Sequence, residues 1–303
     1  MSKLRISIVE YLNTAPLVWG FTEGPLAGKY DLSFTMPAKC SDALRAGEVD
    51  VAIIPSIEYQ RMDGIVVLPG MAIAAKGEVR SILVVSKKPI DQVRTIALDT
   101  SSRSSAALVR LLAAESWRIA PEFIDADPDP AAMLAKADAA LVIGDPALRI
   151  AVKLDYLFAK KPREGACCQG DADELPVQGY PALFVYDVAF QWREMTGKPC
   201  VLAIWAGHKE KLTPEIATDF QASKQFGLDH ISDMAEAASV KLDLPAQALE
   251  EYLRDNIDFS LDEENLAGLH LYFEKCAAAG LVPGIRPLQF VSPLAGTSAR
   301  HGA

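Results

Sequence analysis

Residues 93–117 read VRTIALDTSSRSSAALVRLLAAESW. Val93 to Leu98 is a short apolar run with the length of a strand, and Asp99 to Ser105 is a polar loop. From Ala106 to Trp117, Leu108, Leu111, Leu112 and Glu115 fall at helical spacing,. A strand that runs through a polar loop into a helix is the repeating unit of α/β proteins.

The unit recurs on both sides of this stretch. Near the N-terminus Leu4, Ile6 and Ile8 alternate with Arg5 and Ser7, which predicts a strand; Thr14 can then cap a helix with Pro16 in its first turn,. Asp31 to Phe34 is extended, and PAKCSDALRAGE is a short helix ending at Gly47. Val49 to Ile54 is almost continuously apolar, as in a parallel strand covered on both faces,. Ser81 to Ser86 is another strand. AALVIGDPALRI at 139–150 predicts a strand and a bend. The stretch 160–177, rich in Gly, Pro and charge, reads as loop. Residues 182–207 read as strand, helix, strand; Leu212 to about Gly280 is mainly helical; and the tail 292–303 reads as disordered,. The spacing predicts two α/β lobes. One is built from 1–92 and 188–303, and 93–187 is inserted as the second. A single doubly wound domain is the alternative.

Composition narrows the function. The chain has 303 residues, half of them hydrophobic, and a formal net charge of -10. That charge argues against nucleic acid and anionic membrane surfaces as partners. It leaves room for a small anionic ligand held by backbone N–H groups and local arginines. The five cysteines, Cys40, Cys167, Cys168, Cys200 and Cys276, have no metal spacing and read as reduced thiols,. The start MSKLRISIVEY lacks the apolar run of a secretory signal, and no stretch has the roughly 18–20 apolar residues of a membrane span,. The expectation is a cytoplasmic protein.

Ligands of open α/β sheets lie beyond the carboxyl ends of the strands. Residues expected there are Glu10, Tyr11 and Asn13; Ser56 and Glu58; Arg80 and Ser81; Asp99 to Ser105; and Asp145. Hydroxyls dominate. In the run Ser101, Ser102, Arg103, Ser104, Ser105, short hydroxyls lie beside the unpaired N–H groups of a helix start, a combination that can hold a carboxylate,. The plainer reading is a helix cap with spare serines. Gly144 can permit close approach of a ligand. Asp145 can accept from a substrate hydroxyl or serve as a helix cap with Pro146 in the first turn. Asn13 offers donors and an acceptor without titrating, or it stabilises a turn. The four histidines form no cluster, no HExxH or GxSxG motif is present, and no GxGxxG follows the first strand,. No metal or cofactor is expected. Trp192, Trp205 and Tyr186 read as hinge packing rather than cleft lining.

These pieces, in this order, resemble the chorismate dehydratase family of the futalosine route to menaquinone. The resemblance lies in YLNTAP (11–16), VDVAIIPSIEY (49–59) with LPG (68–70), VRSILVVSKKP (79–89) leading to LDTSSRSS (98–105), VIGDPAL (142–148) and YDVAFQWREMTGKPCVLAIW (186–205). It spans essentially the whole chain. Pro55, Ala189, Cys200 and Leu202 depart from the family pattern. The resemblance implies a two-lobed, periplasmic-binding-protein-like (type II) α/β fold with the ligand between the lobes. It also implies a hydro-lyase that removes water from chorismate, a dianion, to give 3-[(1-carboxyvinyl)oxy]benzoate, with the substrate's own enolpyruvyl carboxylate as base. On that reading Asn13 orients the side chain or meets the departing hydroxyl, and Ser56, Ser81, Ser104 and Ser105 hold carboxylates. Arg80 and Arg103 can add charge, and Asp145 is a rival acid or base, with Glu10 a weaker one. Two alternatives stay open: a small-anion binding or sensor protein of the same fold, and the sister enzyme that cleaves cyclic dehypoxanthine futalosine.

Overall fold

The computed structural model describes residues 3–160, 177, 179–180 and 183–291. Most of the loop expected over 160–177, with Cys167 and Cys168, and the tail expected over 292–303 lie outside the described residues.

Two five-stranded sheets form two lobes. The first sheet contains β1 (Arg5–Val9), β2 (Asp31–Thr35), β3 (Val51–Pro55), β4 (Ile65–Ala75) and β10 (Cys200–His208), in the order β2-β1-β3-β10-β4. The second contains β5 (Ile82–Ser86), β6 (Thr95–Asp99), β7 (Glu122–Ala126), β8 (Ala139–Ile143) and β9 (Phe184–Asp187), in the order β7-β6-β8-β5-β9. Each lobe has a parallel core, β2-β1-β3 or β7-β6-β8. Each then receives one antiparallel strand that follows a crossing between lobes, β10 or β5. Strands β3, β5 and β8 are buried at every position, as their unbroken apolar runs require, whereas the edge strands β2 and β7 carry Asp, Ser and Glu and are partly exposed,.

The pairing of β5 corrects the expected boundary at residue 92. Ile82–Ser86 pairs with β8 and β9, so the first crossing lies between Ala75 and Ile82. The helix α6 (Val188–Thr196) packs against β5, β9 and the helix α3 (Arg103–Glu115), so the second crossing follows it, before Cys200. An apolar run reports that a strand is buried but not which sheet buries it; long-range pairing decides that.

The other helices are α1 (Ala15–Thr22), α2 (Pro37–Arg45), α4 (Pro130–Lys136), α5 (Gly144–Lys160), α7 (Pro214–Asp229), α8 (Ile231–Leu242), α9 (Ala246–Glu251) and α10 (Glu263–Ala278). Between α9 and α10 the chain makes a π-helical turn, Tyr252–Asn256. α3 starts three residues earlier than its apolar spacing predicts, because Arg103, Ser104 and Ser105 enter the first turn and Ser102 becomes the cap. Trp192 and Trp205 are fully buried, and Tyr186 packs on Trp117 while accepting the Ile90 N–H at 3.0 Å, so none of the three lines a cleft. One apolar cluster continues from the first sheet into the second through Ile54, Ile82, Val84 and Leu141. The two lobes therefore share one apolar core.

Candidate active site

The cavity between the carboxyl ends of the two sheets has a volume of about 50 Å³. Ile53 and Pro55 of β3, Ile73 of β4, and Leu202 and Ala203 of β10 form an apolar wall, and Ile82 and Ile143 face it from the second lobe. The polar groups of the lining are Tyr11, Asn13, Thr14, Ser81, Ser102 and Ser105, joined by Gly144. No carboxylate, histidine, lysine or arginine lines this cavity among the described residues.

Each polar group arrives by a local cause. β1 ends at Val9, and a 3-10 turn, Leu12–Thr14, carries Asn13 before Pro16 starts α1. Thr14 Oγ1 donates to Asn13 Oδ1 at 3.4 Å, which leaves the amide N–H groups to point elsewhere. Ser102 Oγ lies 2.8 Å from Ser105 Oγ, and Ser102 makes no side-chain cap bond, so the first N–H groups of α3 are left for a ligand,. α5 starts at Gly144, so two helix N-termini, each carrying partial positive charge, meet the same space,. Gly144 has φ +65°, and a Cβ there would meet the Tyr11 ring at 2.5 Å, so only glycine lets that ring close the cavity wall,. Burial pushes the Tyr11 phenol well above its ordinary pKa and keeps it a neutral donor,.

Ser81 is held on three sides. Its N–H bonds the Val79 carbonyl at 2.7 Å across Arg80, which has φ +59°, a strained γ-turn,. Asp187 stabilises that turn by accepting the N–H groups of Val79 (3.0 Å) and Arg80 (2.6 Å) as well as those of Ala189 and Phe190 (both 3.0 Å). Burial outweighs those donors and pushes the Asp187 carboxyl up to about 6. The Ser81 carbonyl accepts the Gly144 N–H at 2.8 Å, and Ser81 Oγ accepts the Tyr252 hydroxyl at 2.8 Å.

Several expected ligands stand elsewhere. Ser56 and Ser104 are buried at the junction of the lobes and outside the cavity wall. Ser56 Oγ donates to the Val201 carbonyl at 2.8 Å and lies 3.2 Å from Ser104 Oγ, which also accepts the Ile57 N–H at 3.2 Å. Starting α3 early turns Ser104 inward and leaves Ser105 on the cavity side. Ser101 contributes a lobe-to-lobe bond, its carbonyl accepting the Ala38 N–H at 2.9 Å. Arg103 turns away from the cavity to Asp42 (2.9 Å) and Glu58 (3.1 Å). Glu58, almost fully buried, also holds Arg45 at 2.5 Å and Arg61 at 3.0 Å. Arg80 pairs with Asp155. Asp145 accepts the Leu12 N–H at 3.0 Å and faces a separate outer groove beside α1 and α8, and burial raises its pKa. Asp145 is thus a fastening between lobes rather than an acid facing the inner cavity. Glu10 lies in the same outer groove. Tyr252 was not among the expected residues: ALEEYLRDN reads as ordinary helix, and nothing local in it marks a π turn.

Two sheets with antiparallel crossing strands, closed around a cavity at their carboxyl edges, define the two-lobed, periplasmic-binding-protein-like class of type II. A structural-genomics protein from Archaeoglobus fulgidus superposes with a TM-score of 0.67 at 17% identity over 92% of this chain and 98% of that one. The ligand-binding component of an ABC-type import system from Staphylococcus aureus superposes at 0.61 with 12% identity over 97% of each chain. At these identities the likeness is one of fold. The chain belongs to the menaquinone biosynthesis family, whose model matches residues 4–278. It is 26% identical to a chorismate dehydratase of Thermus thermophilus over 271 residues, 89% of this chain and 93% of the relative.

Proposed function

We propose that this protein is a hydro-lyase that dehydrates chorismate to 3-[(1-carboxyvinyl)oxy]benzoate in the cavity between its lobes. The observation that carries this reading is the lining: neutral hydroxyl and amide donors and two helix starts, with no charged side chain among the described residues. Such a cavity suits a dianion, since preorganised dipoles in a dry site stabilise charge without adding a competing base. The family and the Thermus relative support the same substrate.

The reaction removes a proton from the ring carbon bearing the enolpyruvyl ether and hydroxide from the neighbouring carbon, which leaves an aromatic ring and water. With no protein base at the cavity among the described residues, the enolpyruvyl carboxylate of the substrate takes the proton and passes it to the departing hydroxide, at the high effective concentration that a held conformer allows,. Asn13 orients that arm or donates to the departing hydroxyl. Ser81, Ser102, Ser105 and the α3 N–H groups hold the carboxylates, and the wall formed by Ile53, Ile73 and Leu202 takes the apolar faces.

Incubation with chorismate, followed by mass and ultraviolet analysis, tests the reading. The expected product is the aromatic enol ether. Saturable binding with chorismate left intact would indicate a solute-binding protein, and turnover of cyclic dehypoxanthine futalosine alone would indicate the sister enzyme. Asn13→Ala is expected to lower kcat by about 10²–10³-fold and to leave the melting temperature within a few degrees. Wild-type turnover in that variant would remove Asn13 from the mechanism.

A further inference from the structure

We propose that Tyr252 is a positioning residue for Ser81: it fixes that serine's hydroxyl as a donor aimed into the cavity, toward a substrate carboxylate. The inference rests on the dehydratase reading. The Ser81 backbone has little freedom, because its N–H and carbonyl are both bonded and the preceding turn is gripped by Asp187. What remains free is rotation of the hydroxyl. A serine hydroxyl has one proton and two lone pairs. The Tyr252 hydroxyl donates to Ser81 Oγ at 2.8 Å, so the serine proton cannot return along that line. It is directed to the open side, where Ser81 lines the cavity.

Three features make Tyr252 suited to this role. Its side chain is only 1% exposed, so water does not compete for the bond. It begins a π-helical turn, a rare conformation that recurs at functional sites and here brings the ring out of the register of α9,. Burial keeps the phenol protonated at any working pH, which makes its donor role permanent,.

The test is a double-mutant cycle in the full chain with chorismate, using Tyr252→Phe, Ser81→Ala and both together. Ser81→Ala is expected to lower kcat/KM for chorismate about 100-fold and Tyr252→Phe about 10-fold, since the serine holds a substrate carboxylate. The double variant is expected to be no slower than Ser81→Ala, since without the serine hydroxyl Tyr252 has nothing to orient. Tyr272→Phe is the control: it removes a buried hydroxyl that donates to the Ser104 carbonyl at 3.1 Å and does not reach the cavity. It should lower the melting temperature as much as Tyr252→Phe does while kcat/KM stays within about twofold. A normal kcat/KM in Tyr252→Phe, or losses that multiply in the double variant, would overturn the role of Tyr252 and leave the dehydratase reading intact. A wild-type protein that leaves chorismate unchanged would remove both.

Discussion

Two serine-bearing segments reach the interlobe space, 101–105 at the start of α3 and 79–81 in the crossing segment before β5. In the first, five residues supply four serines and an arginine, but only Ser102 and Ser105 line the cavity. Ser104 is tied to Ser56, Ser101 bonds Ala38 through its carbonyl, and Arg103 is neutralised by Asp42 and Glu58. The second segment has one serine, whose backbone and hydroxyl are both constrained by partners far away in sequence. The difference teaches that a cluster of polar residues at a lobe junction serves closure as much as binding. A hydroxyl is available to a ligand only if the rest of the fold leaves it so.

The contrast can be broken most directly with paired substitutions. Replacing both Ser102 and Ser105 by alanine is expected to raise KM for chorismate about 30–100-fold, because the two hydroxyls, bonded to each other at 2.8 Å, leave one proton for the ligand and a hydrogen bond to a charged group is worth roughly 1.5–3 kcal/mol,. A KM within threefold of wild type would show that the cavity-facing serines are not the ligands. Replacing both Ser56 and Ser104 should do the reverse: stability in urea should fall by about 2–4 kcal/mol as buried partners are left unpaired, with kcat/KM within about threefold. A selective loss of affinity there, with unchanged stability, would mean that the interlobe serines release one another to hold substrate.

A smaller effect sharpens the picture of the crossing segment. The Asp187 carboxyl titrates near 6 in the folded chain, raised by burial from an ordinary value of 3.8. The folded state holds this proton more tightly than the unfolded state does. The resulting stabilisation is complete below about pH 4 and is lost as pH rises through 6, an effect on the order of 1–3 kcal/mol. Urea midpoints at pH 4 and pH 7 should therefore shift less in Asp187→Asn, which has no such proton to lose. Equal shifts in the two proteins would contradict the assignment.

The two-lobed α/β class came from the spacing of elements taken with the family resemblance, whereas the alternation of strands and helices and the doubly covered run in β3 were legible in the amino-acid order. They rest on local periodicity, and burial imposes that periodicity residue by residue. The motifs around Asn13, Ser81, Ser102, Ser105 and Gly144 also pointed to residues that meet in one cavity. Tertiary structure alone decided which lobe takes Ile82–Ser86, that Ser104 turns inward while Ser105 does not, that Asp145 fastens Leu12 across the lobes, and that Tyr252 stands behind Ser81. The reason is physical. A side chain's chemistry is written in the sequence, but whether its proton or lone pair remains free depends on a partner that is 48 residues away for Ser56 and Ser104 and 171 for Ser81 and Tyr252. Only folding brings such pairs together.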